Sequence, residues 1–259
     1  MTFLQVIILS FIQGLTEFLP VSSSGHLVFV PALLHFTTQP TILFDITLHL
    51  GTLAAVVLFL WKDIVQIMNG LIQKKKEYWT LVLKISLALV PAVIVGFLFD
   101  DLIDFFFFQN TLYVGYAYFG TALILFLTLF LKEKGKTMFT ISWWDVTTIG
   151  LLQACALVPG FSRSGFTLAG ALLVGMKRKE AFKFSFLVSI PAILGAFLLK
   201  LPDMQQETIP FSLVVGFFIS MIVGFFALFL LKMLLKKSRL YWFAIYCFFL
   251  AIFLVIRFR

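Results

Sequence analysis

The sequence predicts an all-α polytopic membrane protein: about six transmembrane helices and two broken, re-entrant helical segments arranged as an inverted-topology repeat. Three observations predict it. Hydrophobic residues make up 61% of the 259 and charged residues only 12%, where a soluble domain is about half apolar and about a quarter charged. The apolar runs are long and unbroken, unlike the alternating segments of about ten residues that a membrane barrel shows. Lysines and arginines gather beside those runs, the pattern that sets the topology of helical membrane proteins.

The opening stretch, residues 3–35, is apolar but interrupted by Pro20, a serine run, Gly25 and Pro31. It is too broken for one span, so two short helices dipping into and out of the membrane are expected, their irregular junction lining a polar cavity. Spans are expected near 42–60, 81–99 and 111–131. A second broken stretch, about 145–175, contains Pro159, Gly160 and Gly165. Spans near 182–200, 211–231 and 240–257 close the chain. The order of one broken segment and three spans therefore occurs twice. Gln13 and Gln153 open the broken segments, and Phe44 and Phe184 follow at equal distance. Three spans per repeat is odd, so repeats 1–135 and 141–259 of one membrane domain, 1–259, should insert in opposite senses, with a shared site near the midplane.

Lys62, Lys74 to Lys76, Lys132, Lys134, Lys136, Lys177 to Lys179 and the run from Lys236 to Arg239 mark the expected cytoplasmic side. Asp100, Asp101, Asp104, Asp203 and Glu207 mark the outer side, and both termini are then outside, with Arg257 and Arg259 against the trend. The net charge of +8 reads as topology and contact with anionic membrane lipids, not as nucleic-acid binding. Cys155 and Cys247 read as small buried hydrophobes. Lys84 and Lys183 are expected to snorkel, His35 to lie in an interfacial loop, and the phenylalanines 105–108 to face lipid or the interface. The first segment lacks the basic start of a cleavable signal.

Two polar islands stand out because ionisable groups at membrane depth are costly and mark functional sites. The first runs Gln13-Gly-Leu-Thr-Glu17-Phe-Leu-Pro-Val-Ser22-Ser23-Ser24-Gly25-His26. Gln13 and Glu17 share a helical face and offer an amide and a carboxylate oxygen to a divalent cation; alternatively Glu17 is a base, or orients His26. A serine beside a base is a nucleophile arrangement, and His26 has acid/base capacity. The second island is Pro159-Gly160-Phe161-Ser162-Arg163-Ser164-Gly165-Phe166-Thr167. The Arg163 guanidinium matches phosphate oxygens as a fork; Ser162, Ser164, Thr167 and a helix N-terminus near Ser164 would complete an anion cradle. The plainer reading pairs Arg163 with Glu17 as a bridge between repeats. Asp45 and His49 share another face, as supporting groups for the site or as interhelical polar contacts.

At these islands the chain resembles the bacterial undecaprenyl-diphosphate phosphatase, or bacitracin-resistance, family, whose motifs are Glu/Gln-x-x-x-Glu followed by Pro-Val-Ser-Ser-(Ser/Thr)-Gly-His, and Pro-Gly-x-Ser-Arg-Ser-x-x-Thr. Phe44 to Ala54 is similar to a third family segment, although His49 stands where glutamine is usual, and Gln13 where many members have glutamate. The resemblance covers essentially the whole chain. It implies hydrolysis of undecaprenyl diphosphate in the plasma membrane, recycling a cell-wall lipid carrier, at a site open to the outer face. It also implies a divalent cation, Mg or Ca at low specificity; besides substrate and membrane lipids, the candidate partner is a second copy of the chain, as a homodimer. Carried onto this chain, Glu17 with Gln13 would serve the metal or act as base, Ser23 would be the nucleophile and His26 its acid/base partner. Arg163 with Ser162 and Thr167 would bind the diphosphate, and Ser22, Ser24 and Ser164 are the further substrate-binding candidates that the two islands themselves offer. The rival function is transport of a lipid phosphate, since inverted repeats with broken helices also build transporters.

Overall fold

The computed structural model describes residues 1–36, 41–108, 110–200 and 210–259. Among these the regular structure is helical. The first broken stretch forms α1 (Phe3–Phe18) and α2 (Ser23–Leu33). A Thr2–Gln5 capping box starts α1. It ends before Leu19-Pro20, where proline pushes the preceding residue into extended backbone. The second stretch forms α7 (Trp143–Cys155), opened by a Ser142–Asp145 capping box, and α8 (Arg163–Leu173). Gly160 supplies the turn between them with φ of +100°. Both junctions end the same way: Ser22 Oγ caps α2 at the Gly25 N–H, and Ser162 Oγ caps α8 at the Gly165 N–H, each at 3.2 Å.

The remaining elements are α3 (Ile42–Phe59), α4 (Trp61–Ile72), α5 (Lys76–Ile103), α6 (Thr111–Leu127), α9 (Arg178–Lys200), α10 (Phe211–Lys236) and α11 (Tyr241–Arg257). Among the described residues, α3, α5, α9, α10 and α6 with its 3₁₀ extension are long and apolar enough to cross a membrane. The sixth expected span, α11, has 17 residues and packs along α6. The chain is thus a multi-pass membrane protein. Packing is paired between the halves: α1 lies on α10 as α7 lies on α5, and α6 and α11 lie on each other. Helix α10 is seated closely. A Cβ on Gly51 would collide with Ser220 Oγ, and one on Gly14 would meet the Ser220 carbonyl at 2.7 Å, the small-residue contact that brings membrane helices together.

Four local expectations change. Helix α4 stands between the first two spans, where no element was expected; it buries Ile67, and its Gly70 packs against Tyr78. Cys247 is buried as expected, but Cys155 is exposed on α7. Lys84 does not snorkel: it is buried, donates to the Phe139 carbonyl at 2.8 Å and lies over the Trp143 ring. Lys183 is ion-paired with Asp63. Phe105 and Phe106 are exposed as expected. The acidic positions Asp203 and Glu207 lie outside the described residues.

The basic segments meet at one end of the bundle. There Lys183 joins Asp63, Arg178 joins Glu133, and the Lys134 and Lys136 N–H groups bond the Gly175 carbonyl. The α1–α2 and α7–α8 junctions lie deeper, against each other.

Candidate active site

Glu17 lies in the last turn of α1 with its side chain 2% exposed. One carboxylate oxygen takes the Arg163 guanidinium from the first turn of α8. The other accepts the Ser23 hydroxyl at 2.6 Å and Gln13 Nε2 at 2.9 Å. The helical spacing of Gln13 and Glu17 produces the second bond; the broken junctions produce the others, since each places the first residue of a helix beside the end of α1. The sequence's two readings of Arg163 therefore coexist: it bridges the halves and also faces the cavity.

Ser22 holds the junctions together. Its Oγ accepts the Gly160 N–H of the other junction at 3.0 Å besides capping α2. Its carbonyl accepts the Tyr118 hydroxyl at 3.1 Å. These contacts hold Ser22 at φ of +63°, a conformation that costs a non-glycine residue energy and clusters at functional sites.

A cavity of about 340 Å³ opens over this pair, lined by Glu17, Ser22, Ser23, Ser24, Ser162 and Arg163. It continues as an apolar slot along Ile46, Leu50, Ala192, Ile193, Ala196 and Phe197, with Lys200 near its end. A polar floor joined to an apolar slot suits an anionic group on a long hydrocarbon chain. Ser164 and Thr167 lie behind the main cavity. Ser164 Oγ donates to the Leu19 carbonyl at 3.2 Å. Thr167 donates to the Arg163 carbonyl at 2.8 Å and contacts Ser185. Both support the α8 start and border only a small pocket behind Glu17 and Arg163.

His26 does not meet Ser23. It is buried and turned toward α6 and α11, where Nδ1 bonds the Ser22 carbonyl at 2.7 Å and lies 2.8 Å from the Tyr118 hydroxyl. Nε2 lies 2.7 Å from the Tyr246 hydroxyl. A neutral ring donating at Nδ1 and accepting from Tyr246 satisfies the arrangement. No signal in the sequence marked Tyr118 and Tyr246, which stand far from His26 along the chain.

His49, whose role was open, lines the cavity; its Nδ1 lies 3.0 Å from Gln13 Nε2 and 3.5 Å from Glu17. Asp45 is not part of the cavity lining, and its Oδ1 is buried without a hydrogen-bond partner. Gln13 Oε1 is likewise a buried acceptor without a donor. Among the described residues no three His, Cys, Asp or Glu side chains cluster as a ready-made metal cage. Gln13 faces Glu17 with Nε2, so a hard cation taking its other ligands from water and phosphate would fit with that amide turned over to present the unsatisfied Oε1.

Residues 6–253 match the family described as bacitracin resistance protein BacA. Curated relatives named undecaprenyl-diphosphatase include one from Thermosipho africanus, 45% identical and covering 95% of this chain and 96% of its own. One from Methanococcus vannielii is 40% identical over 97% of this chain and 99% of its own. Another, from Christiangramia forsetii, is 40% identical over 96% and 95%.

Proposed function

The chain belongs to the bacitracin resistance protein BacA family, and from that premise we propose that it hydrolyses undecaprenyl diphosphate to undecaprenyl phosphate and inorganic phosphate. The observation that carries the chemistry is the Ser23 hydroxyl, 2.6 Å from a carboxylate whose other oxygen holds Arg163. That is a nucleophile, a base and an anion receptor in one contact chain.

The arriving diphosphate competes with Glu17 for Arg163, and Ser22, Ser24 and Ser162 offer hydroxyls around it. Ser23 Oγ bonds to the terminal phosphorus while the bridging P–O bond breaks, and its proton passes to Glu17. Undecaprenyl phosphate leaves, taking up that proton. Water then attacks the phosphoserine, gives its proton to Glu17, and the proton returns to Ser23 Oγ as inorganic phosphate departs. His26 acts as a positioning residue, holding the Ser22 carbonyl and hence the start of α2. A divalent cation, Mg or Ca, would be held by Glu17 and Gln13. When bound it supplies neutralisation of phosphate charge, and one carboxylate and one amide make it weak without substrate.

The site is proposed to open to the outer face of the plasma membrane, supported by the gathering of lysines at the opposite end. Transport of a lipid phosphate would need the anion receptor but not the Ser23–Glu17 contact. Phosphate release from undecaprenyl diphosphate by purified protein tests the proposal. Ser23→Ala is expected to lower kcat by about 10³-fold or more with little change in KM. A Ser23→Ala rate within tenfold of wild type would replace the phosphoserine with direct attack by water.

A further inference from the structure

A second cavity, about 640 Å³, lies at the lysine-rich end of the bundle, between α3, α9 and α10. It opens beside Phe59 and Phe182, where the catalytic cavity opens beside His49 and Ala192. Ten helical residues separate the two along both α3 and α9, about 15 Å of rise.

Six cations and two carboxylates line it. Lys183 pairs with Asp63 and Arg178 with Glu133. Lys177, Lys179, Lys232 and Lys236 have no carboxylate within 4 Å among the described residues, leaving four charges uncompensated around one concavity. Topology alone does not ask for this, because lysines in loops set orientation without enclosing a volume. Lys232 lies a full turn inside α10, with its ammonium over the Phe59 ring at 5.3 Å. The rest of the lining is apolar: Phe59, Leu60, Phe182 and Leu235. The combination is a set of charges interleaved with aromatic and leucine side chains between membrane helices.

We propose that this cavity is a binding site for an anionic phospholipid, favouring a headgroup with two phosphates. The four unpaired ammonium groups take the phosphate oxygens as point charges, and the aromatic and leucine wall takes the start of the acyl chains. Basic pockets between helices near the membrane surface recognise such headgroups. The site is independent of the Ser23 chemistry, and its test does not involve hydrolysis.

Full-length protein would be purified in neutral detergent and titrated, in native mass spectrometry, with phosphatidylcholine, phosphatidylglycerol and cardiolipin. Inorganic pyrophosphate would serve as the soluble competitor. The expected result is one cardiolipin retained at least tenfold more tightly than phosphatidylcholine and not displaced by millimolar pyrophosphate. Lys179→Gln/Lys232→Gln/Lys236→Gln should lose that preference. Lys74→Gln/Lys75→Gln/Lys76→Gln, which removes equal charge from the surface near α4, should keep it. The single variant Lys232→Gln, expected to weaken retention severalfold, serves if the triple variant does not fold. Equal loss in the two triple variants, no preference over phosphatidylcholine, or displacement by pyrophosphate would each overturn the proposal.

Discussion

Removing Arg163 should do two separable things, and the geometry says how large each is. Glu17 is 2% exposed and Arg163 is 26% exposed, so the pair sits on the protein side of the cavity wall. Removing one partner of a buried ion pair costs about 3–5 kcal/mol, because the other charge is left uncompensated. Ser23 and Gln13 still bond the carboxylate, and the cavity admits some water. Arg163→Ala should therefore fall at the lower end, about 3 kcal/mol, or roughly a hundredfold in the folding equilibrium. Glu17→Gln/Arg163→Ala leaves no charge to strand and should recover most of that, ending within about 1 kcal/mol of wild type. Catalysis should follow the other pattern, with both proteins inactive because the anion receptor is gone. Denaturant titration in detergent, run beside phosphate release, measures the two effects on one preparation. A double variant no more stable than Arg163→Ala would show that the pair is not energetically coupled, and the account of the site would fail at its centre.

Tyr246→Phe removes a partner from His26 Nε2 and should cost about 1 kcal/mol of stability with less than a tenfold drop in kcat; a far larger drop with an altered pH profile would return His26 to the chemistry. Gln13→Glu adds a carboxylate beside Glu17 and should lower the Mg concentration giving half-maximal rate; full wild-type activity in chelator would remove the ion from the proposal. A cysteine at position 75, in a Cys155→Ser background, should resist an impermeant thiol reagent added outside intact cells; labelling there would invert the proposed topology.

The two islands were legible because a carboxylate, a guanidinium and hydroxyls are conspicuous in apolar sequence, and Glu17, Ser23 and Arg163 do meet. His26 shows the limit of that reading. Nearness along the chain placed it with Ser23, but tyrosines on α6 and α11 engage its ring, and no local pattern announces partners so remote. Thr167 fits the family motif yet works behind the cavity through Ser185. Long spans were legible from hydropathy alone. Helix α4 was not, because a helix lying with one face on the bundle mixes lysine, aspartate and leucine as a loop does. The depth of Lys84 was likewise invisible, since its partner is a backbone carbonyl.

The seating of α1 on α10 has a consequence for how the protein is made. Helix α1 leaves the ribosome roughly 200 residues before α10, the helix whose close contacts hold it, a wait of about 10–40 s at typical synthesis rates. At 16 residues α1 is shorter than a span, and until α10 arrives its Ser10, Gly14 and Phe18 face has no helix to rest against. The natural waiting place is the membrane surface. The catalytic carboxylate then reaches its depth late, carried inward when α10 docks, and a chain truncated before α10 would carry every residue of both islands without assembling a site.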